Sequence, residues 1–401
     1  MMHTLFEAGA KIIKKLNDNG FEAFFVGGCV RDFYMARDIQ DVDITTDAKP
    51  EEVENIFEKT IDVGKVHGTI IVLADGLPFE VTTYRTDGIY TNHRHPDIVT
   101  FSHRLNEDLK RRDFTMNAMA MAEDYTFHDP YEGREAIERR EITTVGCAAD
   151  RFGEDALRMV RALRFMSVLD FGIEEETEAA MTANAHLLKH VSVERIVTEF
   201  KKMYNGGSLV EAKTRMVLTG LVRHIPFFSE ITDDALLKSR VDDLLDELVV
   251  QVIRDPSLEE SLHLLKLSNK ERHTVKSCAA LHTALEREDH PIEIAYSFDE
   301  DILERFTSVN DHNHLTRQSS LLQEAKTSKL SLPIRSKKDL EVDGRDLMEL
   351  YTSRSGPWVK ECLNIIEREV LFGRLENNYN DIIDWVKRHV KVESASVEII
   401  E

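Results

Sequence analysis

The stretch "FFVGGCVRDFYMARDIQDVDITT", residues 24–46, decides how the chain reads. An apolar run of strand character ends at Gly27 and Gly28, a charged helical pattern follows, and a second strand opens at "DVDI". Successive side chains on a strand point to opposite faces, so Asp41 and Asp43 share one face and Val42 and Ile44 the other. Adjacent carboxylates repel. They need a cation, a shared proton or plentiful water, and oxygen ligands at this spacing suit a hard ion such as Mg²⁺. At the Gly27-Gly28 turn from strand to helix, backbone N–H groups can approach phosphate oxygens with no Cβ in the way, helped by the helix N-terminus, and Arg31 can add a charge-assisted contact. The plainer reading of the two glycines is a tight strand-to-helix connection. A phosphate cradle followed by paired carboxylates nevertheless matches what metal-dependent nucleotidyl transfer requires, one element holding a triphosphate and the other the cations that bridge nucleophile and α-phosphate.

Outward from this stretch, the first 150 residues read as α/β, with a small mixed sheet and helices. A helix near residues 4–18 precedes the first strand, and Pro50 with Glu51 and Glu52 opens another helix. The segment "HGTIIVLADGLPFEVTTYR" reads as a hairpin turning at Asp75-Gly76. From "DRFGEDALRMVRALRFMSVL" onward the pattern is helical almost to the end, with breaks at 205–208 and 308–316. The expected organisation is a catalytic head (1–150), a helical neck (151–206), a helical body (207–310) and a helical tail (311–401), all-α after the head and elongated.

With 42% hydrophobic and 31% charged residues in 401, the chain is an ordinary globular protein and not a disordered one. Its longest apolar runs fall far short of a membrane span, and its N-terminus turns charged at once, unlike a signal peptide, so a cytoplasmic protein is expected. The cysteines, Cys29, Cys147, Cys278 and Cys362, are scattered without metal-ligand spacing. A net charge of −22 argues against a nonspecific nucleic-acid coat protein, though not against a local basic groove.

Further motifs stand in order after the opening stretch: "RRDFTMNAM" (111–119), "DPYEGREAI" (129–137) and "RFGEDALRMVRALRF" (151–165). Together they resemble the polymerase-beta-like nucleotidyltransferase superfamily, specifically the class II tRNA nucleotidyltransferases (CCA-adding enzymes) and bacterial poly(A) polymerases. More loosely, "SVERI" (192–196) and the segment "LEVDGRDLMEL…SGPWVKECL" resemble the Gram-positive CCA-adding type. The resemblance implies metal ions on Asp41 and Asp43, with Glu80 on the next hairpin strand as a third catalytic carboxylate. It implies nucleotide contacts from Gly27, Gly28, Arg31, Arg112, Asp113 and Asn117. The plain alternatives are a solvated Glu80 and an Asp113 that caps a helix. Asp129 and Gly133 read as structural, and His67 and His128 as ordinary.

Asp155 and Arg158 are three apart, neighbours on one helical face, and the plain reading is an intrahelical ion pair. The resemblance implies instead a protein template. Cytosine and adenine both offer an exocyclic amino donor beside a ring-nitrogen acceptor, which an Asp acceptor next to an Arg donor complements, whereas uracil and guanine reverse the order. Arg161 and Arg164 continue the spacing, but each step of three turns the face by about 60°, so they suit the triphosphate, the acceptor RNA or packing against the head. The activity implied is addition of C, C and A to the tRNA 3′ end from CTP and ATP with release of pyrophosphate. Mg²⁺ is the cofactor, the tRNA acceptor arm the partner, and no obligate protein partner is evident. Poly(A) polymerase, against which "VGKVHGTIIV" (63–72) speaks, and CC-only addition are the alternatives within the family; a non-catalytic RNA-binding protein is the alternative outside it. The stretch 85–101 reads as a mobile loop, complete in length, of the kind the family needs to switch from C to A.

Overall fold

The computed structural model describes residues 2–65, 68–87, 99–351, 355–393 and 396–399. The loop expected at 85–101 falls for the most part outside them, as does His67. The described chain packs as two compact units. The first comprises Met1–Lys238, Asp242–Leu244 and Glu260–Leu267; the second comprises Ser239–Val241, Leu245–Glu259 and Ser268–Glu401.

The first unit opens with α1 (Met2–Asp18), β1 (Ala23–Val26), α2 (Gly28–Tyr34), β2 (Asp43–Thr46) and α3 (Pro50–Ile56). Next come β3 (Thr60–Gly64), β4 (Thr69–Ala74) and β5 (Leu77–Thr83), then a ribbon of β6 (Arg85–Asp87) and β7 (Val99–Phe101). After α4 (Leu105–Lys110), β8 (Ala120–Met121) and β9 (Phe127–His128) complete a mixed sheet of order β3-β4-β5-β2-β1-β8-β9. Within it β2 and β5 run parallel and the other pairs antiparallel. The β4–β5 hairpin turns at Asp75 and Gly76, both with positive φ (51° and 79°), as a tight turn matched to the strand twist requires. One sheet face is apolar: Phe25, Ile44, Ile70, Val72, Phe79 and Val81 are buried along with Phe6, Ile12, Ile13 and Leu16 of α1.

Beyond the sheet lie α5 (Gly133–Arg139), β10 (Glu141–Ile142), α6 (Ala148–Glu154), α7 (Leu157–Leu169), β11 (Gly172–Ile173), α8 (Glu175–Asn184), α9 (Val193–Tyr204) and α10 (Leu209–Leu218). Residues Ile196, Val197, Phe200, Met203 and Tyr204 give α9 an apolar stripe of helical period, and all are buried. The boundary expected at 206/207 falls inside the first unit. Ser208 N donates to Ser167 O at 3.0 Å, and a Cβ on Gly206 would sit 2.3 Å from Ser167 Oγ, so "NGGS" is a close approach of backbone to α7 that only glycine permits.

The second unit is helical apart from a short hairpin of Val390–Glu393 with Ser396–Ile399. One of its cores gathers Ile334, Leu347, Trp358, Cys362, Ile366, Val370, Ile382 and Val386. Among the described residues, no helix is long and apolar enough to cross a membrane.

Candidate active site

Strand β2 starts at Asp43, and Asp41 stands exposed just before it. Val42 and Ile44 are buried, as the alternation expects, which leaves the carboxylates on the open side of the sheet. Glu80 is in register with Asp43 across the parallel β2–β5 pair and is exposed. Residues paired in register share a face. Burial, then the charges of Asp41 and Glu80, push the Asp43 carboxyl up to about 6, against the opposing pull of Arg112.

Asp41 and Asp43 line a cavity of about 690 Å³ together with Gly27, Gly28, Arg31, Asp32, Arg112, Asp113, Asn117, Arg161 and Arg164. Glu80 does not line it. Gly27 has φ +77°, a backbone conformation that favours glycine, and a Cβ there would lie 3.1 Å from Arg112 Nη1 and 3.7 Å from Asp43 Oδ2, which places the turn beside both side chains. Arg31 is buried; its Nε and Nη2 donate to Asp32 at 3.0 and 2.9 Å and its Nη1 donates to Asn117 Oδ1 at 2.7 Å. Asn117 Nδ2 in turn donates to Asp113 Oδ1 at 3.1 Å, and Arg161 Nε donates to Asp113 Oδ2 at 2.7 Å. Burial would raise the Asp113 carboxyl, but Arg161, Asn117 and Arg158 hold it well below the usual carboxylate range. Asp113 also accepts from Phe114 N at 2.8 Å, so it serves the local turn while it ties the head to α7.

The helix expected to carry both Asp155 and Arg158 is interrupted. Asp155 is extended (φ −140°, ψ 101°) between α6 and α7, and its Oδ1 accepts from Leu157 N at 3.1 Å. The intrahelical ion pair is therefore corrected: Asp155 accepts from Arg195 Nη2 at 2.7 Å and Nη1 at 3.3 Å. Arg158 pairs with Glu154 at 2.6 Å and donates to Arg151 O and Arg111 O at 3.0 and 2.8 Å. Both residues line a second cavity of about 470 Å³ with Arg111, Arg112, Asp113, Arg161, Arg195 and Glu199. Arg112, Asp113 and Arg161 are common to the two cavities.

Arg164 lines only the larger cavity; its Nε lies 3.0 Å from Glu199 Oε2, and its guanidinium lies 4.0 Å from the Phe165 ring centre. Burial, then the neighbouring Arg161, bring it down to about 10. Glu199 also lies 3.6 Å from Arg161. Sequence reasoning missed Arg195, Glu199, Phe165 and Lys202. The available signal was the charge carried at residues 195 and 199, one helical turn apart and flanking the apolar stripe of α9. Of the structural candidates, Asp129 accepts from Gly133 N and Arg134 N at 2.7 and 3.0 Å, and His128 Nε2 meets Asn106 Oδ1 at 2.6 Å.

Residues 23–143 match the Poly A polymerase head domain, and residues 247–386 match tRNA nucleotidyltransferase domain 2. A CCA-adding enzyme of Listeria innocua serovar 6a is 41% identical over 397 residues, covering 97% of this chain and 100% of that one. A CCA-adding enzyme of Bacillus cytotoxicus is 39% identical, covering 95% and 98%. The crystal structure of the Bacillus stearothermophilus CCA-adding enzyme in complex with CTP superposes with TM-score 0.81 at 39% identity, covering 95% of this chain and 96% of that one. The Thermotoga maritima CCA-adding enzyme complexed with tRNA shares the fold, with TM-score 0.63 at 20% identity. At this identity over nearly the whole length, the chain belongs to the CCA-adding enzymes, a family of tRNA nucleotidyltransferases.

Proposed function

We propose that the chain adds C, C and A to the 3′ end of tRNA by using the two joined cavities as one nucleotide site. The observation that carries this reading is the shared Arg112–Asp113–Arg161 wall, which joins the acidic pair and glycine turn of one cavity to Asp155 and Arg158 in the other. A nucleoside triphosphate is the ligand whose chemistry spans both, with phosphates over the Gly27-Gly28 turn near Arg112, the ribose toward Asp113, and the base against Asp155 and Arg158. Asp155, hydrogen-bonded to Arg195 and Leu157 N, is thereby fixed in place and offers an acceptor to the amino group of cytosine or adenine.

Asp41 and Asp43 fit a divalent cation. Their oxygen donors are hard, and the Asp43 carboxyl is raised first by burial and then by the charges of Asp41 and Glu80, which a bound cation would offset. No group of three or more metal-type ligands converges among the described residues, so a cation here would draw its remaining ligands from water and from the substrate's phosphates, as Mg²⁺ usually does. Bound Mg²⁺ would polarise the α-phosphate and favour ionisation of the attacking hydroxyl. The tRNA 3′ oxygen, its proton released to solvent, forms the new ester bond to the α-phosphorus as the bond from that phosphorus to the α–β bridging oxygen breaks and pyrophosphate leaves. The chain's own residues bind the phosphates, orient the base and keep the 3′ end opposite the leaving group. In this reading the head (1–150) and neck (151–206) carry the chemistry, and the body (207–310) and tail (311–401) hold the tRNA by shape and phosphate contacts.

The deciding experiment supplies a tRNA transcript lacking its 3′ CCA with Mg²⁺ and CTP, ATP or both, and sequences the ends. Two C residues with CTP alone and CCA with both are expected. Long A tracts with ATP alone would mean a poly(A) polymerase, and arrest at CC with both nucleotides a CC-only enzyme.

A further inference from the structure

We infer that Asp108 is a positioning residue: it fixes the Arg112 fork over the Gly27 turn and thereby sets how tightly the site holds the pyrophosphate half of the nucleotide. The inference rests on the phosphate reading of Arg112 given above. Asp108 lies in α4 with no exposed surface, and it lines neither cavity. A buried carboxylate is costly unless it is paired and hydrogen-bonded. Asp108 is paired twice: its Oδ1 accepts from Arg111 Nε and Nη2 at 2.9 and 2.7 Å, and its Oδ2 accepts from Arg112 Nη2 at 3.2 Å. Burial would raise its carboxyl, and the two arginines hold it below the ordinary value instead.

The two pairs divide the arginines between tasks. Arg111 lines the smaller cavity, and its carbonyl accepts from Arg158 Nη2 at 2.8 Å. Arg112 lines both cavities. Because Asp108 takes Nη2 of Arg112, the other terminal nitrogen is turned to the glycine turn, where Nη1 lies 3.1 Å from the point a Gly27 Cβ would occupy. A guanidinium can be anchored through one N–H edge and present another, which a lysine ammonium on a flexible stem cannot do with the same geometry. The same placement brings Arg112 near enough to Asp43 to oppose the rise of its carboxyl. Asp108 thus acts on the phosphate cradle and the acidic pair at once without touching substrate.

The test measures pyrophosphate as an inhibitor competing with CTP for addition to a tRNA lacking CCA, at fixed Mg²⁺, in the wild type, Asp108→Asn, Arg112→Ala and the double variant. Losing an outer-shell partner typically costs about 10- to 100-fold, so Asp108→Asn should raise the pyrophosphate inhibition constant about tenfold. On the Arg112→Ala background it should add nothing, because the residue it acts through is gone. An equal rise on both backgrounds, or no rise with Arg112 present, would overturn the positioning role while leaving the phosphate reading of Arg112 intact. No change in Arg112→Ala itself would remove both. Should Asp108→Asn fail to fold, Arg112→Lys asks the same question: weakened pyrophosphate inhibition is expected, and wild-type inhibition would overturn the inference.

Discussion

Asp43 and Asp113 line the same cavity and are driven in opposite directions. Asp43, on the sheet face, is half-buried beside Asp41 and Glu80, and burial followed by those two charges raises its carboxyl to about 6. Asp113 is buried as well, but Arg161 of α7, Asn117 and Arg158 hold its carboxyl well below the ordinary range. One carboxylate is left short of positive charge and the other is fully answered from within the protein. In the function proposed above, the difference separates a group that would meet an external cation from one that joins two elements of the fold.

The sharpest way to break this comparison is to remove the under-compensated pair. Asp41→Ala or Asp43→Ala should abolish nucleotide addition while leaving the fold and much of the tRNA affinity in place, as read by transcript extension alongside thermal melting and tRNA binding. Full activity in either variant would end the assignment of these residues to the cation.

Next in size is the smaller cavity, which we propose for the base. If Asp155 reads the base, Asp155→Ala removes the acceptor for the amino group and the repulsion against the carbonyl of UTP or GTP. A charge-assisted contact is worth about 1.5–3 kcal/mol, so discrimination against UTP should fall by roughly one to two decades. Because Asp155 also engages Arg195, stability alone does not judge the variant; the ratio of CTP to UTP incorporation at matched tRNA is the measurement. An unchanged ratio in folded protein would leave Asp155 with only its ties to Arg195 and Leu157 N.

The answered carboxylate should behave differently. Asp113→Asn leaves Arg161 without its head partner, at a cost of about 1.5–3 kcal/mol in chemical denaturation at neutral pH. The folded-state pKa of Asp113 is depressed, so its contribution is present above the ordinary carboxylate value and lost only as pH falls toward the folded one. Wild type and variant should therefore draw together only as pH falls well below the ordinary carboxylate value, and a gap that does not shrink at all over that acid range would argue for a packing defect instead.

What the sequence disclosed about these two regions follows from the range of the interactions. The sheet side was legible because its rules are local: alternation put Val42 and Ile44 inside, and Asp75-Gly76 marked the hairpin. The region of α6 and α7 was legible only as helix. The break at Asp155 was hidden in a run of good helix formers, although an aspartate accepting from the N–H two residues on is a helix-start signal that could have exposed it. The partners of Asp155 and Asp113 come from Arg195 and Arg161, 40 and 48 residues away, and no short-range pattern encodes such pairings. The close packing of Gly206 on Ser167 likewise reads in sequence as a linker.

The smallest expected effect is also the cleanest on the acidic side, because it needs neither tRNA nor nucleotide. In metal-free protein the folded state holds the Asp43 proton more tightly than the unfolded chain does, with a value near 6 against an ordinary 3.8. A raised folded-state value contributes stability below about pH 4 that is lost as pH rises through about 6. Asp43→Asn mimics the protonated form at every pH, so it should match the wild type near pH 4 and exceed it at pH 7.5 by on the order of 1–3 kcal/mol. Mg²⁺ should then stabilise the wild type and not the variant at pH 7.5, since cation binding relieves the repulsion that the substitution has already removed. Chemical denaturation across pH 4–8 with and without Mg²⁺ checks both halves. An Asp43→Asn protein less stable than the wild type at pH 7.5 without metal would mean that Arg112 already satisfies Asp43, and the contrast with Asp113 would collapse.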